Sequence, residues 1–143
     1  MFSRAFLLIV AAITDTTPKA KSAMQHPNNA STITGINWTL VELDGVAIEN
    51  ARGGKTPTLR ITSDSTGARA VGVAGCNRFS GPVTQKSDSI RFGALAATKM
   101  ACPAMQLESK YFAALDKART MRASLKQLEL LAGDKVVARF VAL

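Results

Sequence analysis

Gly75-Cys76-Asn77-Arg78-Phe79-Ser80-Gly81 is the most distinctive stretch of this 143-residue chain, and the fold is read outward from it. Glycine and asparagine tolerate left-handed backbone angles that other residues resist, so a glycine-bounded heptad of this kind makes a tight, irregular connection between strands. Short alternating segments lie on both sides. Upstream, Ala68 to Ala74 reads as a strand, preceded by a turn from Asp64 to Gly67 and by Leu59 and Ile61 alternating with Arg60 and Thr62. Further back, Ile36, Trp38 and Leu40 alternate with Asn37, Thr39 and Val41, and Asp44-Gly45 offers the two-residue turn of a hairpin into Val46 to Ile48. Downstream, Val83 to Gln85 and Ser89 to Phe92 flank the polar turn Lys86-Ser87-Asp88, with Ile90 and Phe92 facing inward.

The strand pattern breaks at Cys102-Pro103, where proline suits the first turn of a helix because its missing N–H would be unpaired there anyway. A helix fits residues 104 to 118. Leu107, Tyr111, Phe112, Leu115 and Ala118 recur at three- and four-residue steps and form its apolar stripe, while Glu108, Lys110, Asp116 and Lys117 are assigned to its surface. Met121 to Lys126, Gln127 to Leu131, a Gly133-Asp134 turn and Lys135 to Val141 then read as closing strands. The fold class is mainly β (α+β): a bent antiparallel sheet or small barrel of about eight strands, with one packed helix over an open side or end.

Length and composition agree with one globular domain, at 47% apolar and 20% charged residues. Eighteen Lys and Arg against ten Asp and Glu give a net charge of +8, which suits an anionic partner without naming one. One His, two Cys, one Trp and one Tyr exclude most metal cages, histidine-based catalysis and aromatic stacking platforms. Met1 to Arg4 followed by the apolar run Ala5 to Ile13 reads as an export signal, with Ala20 and Ser22 at an A-x-A-like cleavage site. The run is too short to span a bilayer, which takes about 20 residues. Residues 1–22 are thus assigned to the signal, 23–35 to a polar flexible tail or linker, and 36–143 to the domain. The location expected is periplasmic or secreted.

In an oxidising compartment Cys76 and Cys102 are more simply a disulfide than two buried apolar thiols, and the bridge would tie the glycine-bounded turn to the start of the helix. By loop entropy it would stabilise the fold by roughly 3 to 4 kcal/mol. A nucleophilic Cys76 would need a base, yet the single histidine, His26, lies in the tail. A thiol switch at Cys102 is the other cysteine reading, given its place at a helix N-terminus. Two cysteines and one distant histidine fall short of a structural zinc site, so neither metal nor cofactor is expected. Gly53-Gly54-Lys55-Thr56 mimics the end of a phosphate loop, but Pro57 follows and a strand comes next, so it reads as a flexible hairpin loop. Lys110, Lys117, Arg119, Arg122 and Lys126 form the densest basic cluster. Without interleaved aromatics they point away from nucleic acid and toward an anionic envelope surface or a plain solvated face.

The ordered succession of motifs resembles the META domain family, also called HslJ-like after a heat-inducible bacterial envelope protein. It runs from Trp38-x-Leu40 and Leu43-x-Gly45 through Gly75-Cys76-Asn77-Arg78-Phe79-x-Gly81 and Ile90-x-Phe92-Gly93 to Leu95-Ala96-x-Thr98-x-Met100-Ala101-Cys102. Glu108-x-x-x-Phe112-x-x-x-Leu115 and Leu128-x-Leu130 complete it. The resemblance covers residues 36 to 143 and implies a small sheet-rich domain with a helix, found on exported or lipid-anchored bacterial proteins and linked with stress or drug tolerance. It carries no catalytic residues. A lipoprotein cysteine is missing, since Ile13 stands where one would be. The expected function is that of a non-enzymatic, exported, monomeric domain in envelope stress tolerance, acting through binding or structural support. Gly75, Asn77, Arg78, Phe79 and Gly81 are its structural turn. The alternative is a module that holds a small or anionic ligand in a barrel mouth or on a basic face.

Overall fold

The computed structural model describes residues 33–49, 51 and 53–143; the export signal expected over residues 1–22, most of the tail, and His26 lie outside the described residues. Ten strands and one helix follow in order: β1 (Trp38–Leu43), β2 (Val46–Ala47), β3 (Thr58–Asp64), β4 (Gly67–Val73), β5 (Arg78–Lys86), β6 (Ser89–Phe92), β7 (Ala96–Ala97), α1 (Met105–Lys117), β8 (Thr120–Ala123), β9 (Gln127–Ala132) and β10 (Lys135–Ala142). Eight strands close a barrel in the order β1-β3-β4-β5-β6-β8-β9-β10, and β10 returns to pair with β1. All these pairings are antiparallel. Closure leaves no open edge around the ring, which is how a mainly β domain avoids unpaired backbone. The fold class expected from the sequence is the one observed.

Local chemistry sets the turns. Asp44 and Gly45 both hold positive φ, 48° and 80°, as a two-residue hairpin turn between right-twisted strands requires. β5 differs from expectation: it starts at Arg78, so Arg78, Phe79 and Gly81 belong to a strand and only Gly75 to Asn77 form the turn. The alternation explains this, because Phe79, Gly81 and Val83 all face inward. Gly81 and Pro82 resemble breakers, but each has a place. A Cβ on Gly81 would lie 2.6 Å from the Ala94 carbonyl oxygen and 2.7 Å from a Leu95 methyl carbon. Pro82 sits where β5 exchanges β7 (paired at Ser80) for β6 (paired from Val83), so a missing N–H is tolerated there. The strand expected over Met121 to Lys126 ends earlier, at Ala123, because Ser124 turns the chain with its hydroxyl accepting from the Gln127 N–H. The domain also starts before residue 36: Ile33 is fully buried and its carbonyl accepts from the Trp38 indole N–H at 3.1 Å.

The barrel interior is filled. Trp38, Leu40, Leu59, Ile61, Leu130 and Phe140 are almost wholly excluded from solvent. From α1 the fully buried Tyr111 and Leu115 join this core. Tyr111 packs edge-on against Phe79 and Phe140, with ring centroids 5.9 and 6.2 Å away, and its hydroxyl donates to the Thr58 carbonyl at 3.0 Å. Burial pushes the Tyr111 pKa up, so this hydroxyl stays a donor throughout the accessible pH range. The helix is thereby pinned across β10, β6, β1 and β9.

Tyr111→Phe should lower unfolding free energy by about 1 kcal/mol, through the orphaned Thr58 carbonyl, and Tyr111→Ala by about 3–5 kcal/mol. Urea denaturation of both variants checks this. Equal losses would mean that the hydroxyl, and not the ring, anchors the helix.

Candidate functional site

The residues singled out by sequence meet at the foot of α1. Gly75 holds φ at +118°, outside the range of other residues, and this bend turns the next two amides toward the helix. The Glu108 carboxylate accepts there from the Cys76 N–H at 3.2 Å, the Asn77 N–H at 2.9 Å and the Asn77 side-chain amide at 2.8 Å. Asn77 continues the chain of bonds. Its amide nitrogen also donates to the Met100 carbonyl, and its oxygen accepts from the Met100 N–H at 2.7 Å and the Thr98 hydroxyl at 3.0 Å. Asn77 and Glu108 are the two buried polar residues among those described. A buried carboxylate is tolerated because three donors replace its water, and its charge sits in the first turn of a helix, where negative charge is favoured.

Cys76 and Cys102 are disulfide-bonded with Cα atoms 6.0 Å apart, joining the same turn to the residue before Pro103. The Cys102 sulfur also accepts from the Ala104 N–H. With both thiols in the bridge, neither is available as a nucleophile. The Gly53-Gly54-Lys55 segment is exposed and is tied to the turn at one point, where the Lys55 N–H donates to the Gly75 carbonyl at 2.7 Å; β3 follows it.

Glu108 was assigned to the helix surface from its charge, and the structure corrects this: it is 6% exposed. The signal was present in the spacing, since residues 108, 111 and 115 fall on one helical face. Each member of the basic cluster has its own setting. Arg119 donates to the Asp116 and Ala118 carbonyls and so caps the end of α1, Arg122 pairs with Glu129 at 3.4 Å, Lys126 lies in the β8–β9 turn, and Lys110 and Lys117 are two helical turns apart.

A second feature had no sequence signal. A groove of about 580 Å³ runs between β2 and the N-terminal half of α1, with Leu43, Val46, Ile48, Ala104 and Leu107 as its apolar lining. Lys110 stands on the helix wall and Glu49 on the opposite wall, while Asp44 pairs with Lys135 at 3.5 Å. The groove is lined by residues from the end of β1, β2, the segment after β2 and α1, while core side chains fill the barrel interior. Among the described residues no group of three His, Cys, Asp or Glu is placed to hold a metal ion.

A closed antiparallel barrel, a single helix locked to one turn by a disulfide and a buried Asn–Glu pair, and a lateral groove define a small rigid β domain. The META domain profile matches residues 31–142, and the chain belongs to the META domain family. Among solved structures, the NMR structure of a protein from Burkholderia xenovorans is 27% identical, with a TM-score of 0.65 over 89% of this chain and 97% of that one. A second NMR structure, 19% identical with a TM-score of 0.58 over 78% of this chain and 92% of that one, shares the fold. No curated protein matches the chain.

Glu108→Ala strands two backbone N–H groups and one amide, so it should cost at least about 3 kcal/mol, and Asn77→Ala about 1–3 kcal/mol. The double-mutant cycle should give a coupling of about 1 kcal/mol or more. Cys76→Ser with Cys102→Ser should cost roughly 3 to 4 kcal/mol yet keep a dispersed two-dimensional NMR spectrum, because the Asn77–Glu108 bonds still hold the turn. Denaturant melts check the energies, and additivity of the two polar variants would show that they act apart.

Proposed function

We propose that this chain is a non-enzymatic META domain that works outside the cytoplasm, periplasmic or secreted, and supports stress or drug tolerance by binding or structural support. The observation that carries this reading is the double fastening of one turn, by the Cys76–Cys102 bridge and by the Glu108 carboxylate. A disulfide suits an oxidising compartment. Two devices spent on one bend favour a rigid scaffold, and the packed barrel core favours the same. The apolar run Ala5 to Ile13 supports export.

The alternative, a ligand-binding module, is favoured by one observation: the groove beside α1, whose apolar floor lies between unlike charges at Glu49 and Lys110. A molecule of apolar body with polar ends is its natural occupant.

Cell fractionation followed by N-terminal sequencing and intact-mass measurement tests the first reading. The mature chain should leave the cytosol, begin near Ala23, and gain two hydrogens on reduction; Met1 retained in the cytosol with free thiols would overturn it. Loss of the gene should lower survival of heat or drug exposure. Complementation with Leu107→Trp, which fills the groove, then separates the readings: tolerance restored in full favours the scaffold, and tolerance lost with the fold intact favours the ligand module.

A further inference from the structure

The outer face of β3, β4, β5 and β6 carries a charge pattern unlike the rest of the barrel. On β3 the inward residues are Leu59 and Ile61, which leaves Arg60 outside; on β4 the inward Ala70 leaves Arg69 outside. On β5, Phe79 and Val83 point in and Arg78 and Lys86 point out, and on β6, Ile90 and Phe92 point in and Arg91 points out. Registration places these cations on one surface. Arg60 stands opposite Val71 and Thr62 opposite Arg69, so Arg60 and Arg69 are diagonal neighbours, about 7–8 Å apart in such a ladder. Arg69 pairs with Pro82 and Arg91 with Thr84, two residues further along β5, while Arg78 pairs with Val73. Five cations thus spread over four adjacent strands.

These five have no carboxylate within ion-pair distance among the described residues. The ion pairs found there involve Arg122, Lys135 and Arg139, on β8 and β10. Arg60 donates only to the Asn37 side-chain oxygen and Arg69 only to the Ser80 hydroxyl, both exposed and long, at 3.3 and 3.5 Å. Two carboxylates border the face: Asp64, the exposed last residue of β3, opposite Gly67 and beyond ion-pair distance of Arg69, and Asp88 in the turn between β5 and β6. Asp64 accepts from the Thr66 hydroxyl and N–H. Those bonds first, and the Arg69 charge last, hold it below the ordinary carboxylate value. Like charges set side by side without counter-charge disfavour the free protein and are relieved by an external anion.

We propose that the Arg60, Arg69, Arg78 and Arg91 face of β3–β6 is a docking surface for a membrane rich in acidic phospholipid. Guanidinium groups bind phosphate oxygens in a planar, two-pronged fashion, and a broad outer sheet face offers several at once to a plane of headgroups. The neutral residues between them, Thr62, Val71 and Pro82, put no negative charge in the way. Single-stranded nucleic acid fits less well, because base stacking needs exposed rings. The described rings Trp38, Phe79, Phe92, Tyr111 and Phe140 are buried, and Phe112 packs on Phe79. The proposal rests on outward side chains alone and stands whether or not the chain is exported.

The full chain, isotope-labelled, is titrated with lipid nanodiscs of phosphatidylcholine alone or with about 30% phosphatidylglycerol. Backbone amides of β3–β6 should broaden first with the acidic discs, not with the neutral ones, and recover in high salt. Arg60→Gln with Arg69→Gln should weaken the apparent affinity at least about tenfold, and Arg78→Gln with Arg91→Gln should act alike, while Lys117→Gln with Lys126→Gln changes it less than about twofold. A dispersed spectrum for each variant shows that the fold is intact. Broadening centred on residues 5–13 or on β8–β9, no effect of either arginine pair, or tighter binding of a single-stranded oligonucleotide on the same face would each overturn the proposal.

Discussion

The Glu108 carboxylate, buried at the first turn of α1 and accepting from the amides of Cys76 and Asn77, is the contact on which the arrangement of this domain depends. A helix with one apolar stripe can sit on a barrel at many angles, since hydrophobic contact is non-directional. Hydrogen bonds to a buried charge are directional and costly to leave unmade, so they select one seat. Asn77 extends that selection to the segment before the helix by holding both the N–H and carbonyl of Met100. Three stretches distant in sequence are then fixed by two side chains, and the disulfide adds a covalent tie where the polar contacts already converge.

The barrel needs such a fastening because its ring is uneven. β9 and β10 pair along most of their length, as do β4 and β5, whereas β1 meets β3 at two residue pairs and β6 meets β8 at one. Beside the thin β6–β8 seam, the Ile90 N–H donates to the Arg119 carbonyl and the Met121 N–H to the Asp88 carbonyl. α1 lies against β6 on one side of this gap and β9 beyond the other. On the opposite wall, Arg139 bridges Glu42 at 2.7 Å and Glu129 at 3.1 Å, linking β1, β10 and β9. Half-exposed pairs of this kind contribute up to about 1 kcal/mol each.

Most of the architecture was legible because it rests on alternation and turn chemistry, both local. Asp44-Gly45, Ser87-Asp88 and Gly133-Asp134 mark hairpins by residue type alone, and the apolar stripe of α1 follows from its spacing. Glu108 was misplaced for the opposite reason. Charge is a sound guide to exposure until a partner exists, and its partners lie 31 and 32 residues away, on a turn whose geometry the sequence does not display. The extent of β5 was hidden by Gly81 and Pro82, which break strands in isolation and are accommodated here by close packing and by an exchange of neighbours. The two-residue β7 and the groove beside β2 come from tertiary packing alone.

Trp38, Tyr111 and Phe140 fill the space that a lipocalin-like barrel would give to a ligand, which leaves the outer wall as the surface the domain presents. That wall is divided. On β1, β8, β9 and β10, acids and bases neutralise one another across strands, and the surface there offers an incoming charge little. On β3 to β6 five outward cations face two acids, Asp64 and Asp88, neither within ion-pair distance, so the surface there keeps an excess of positive charge. The packed core and the doubly fastened turn hold these outward cations on a stiff wall. Specificity at the proposed docking face would follow from where charge is left unpaired, and an arginine's place on that surface is set by strand register.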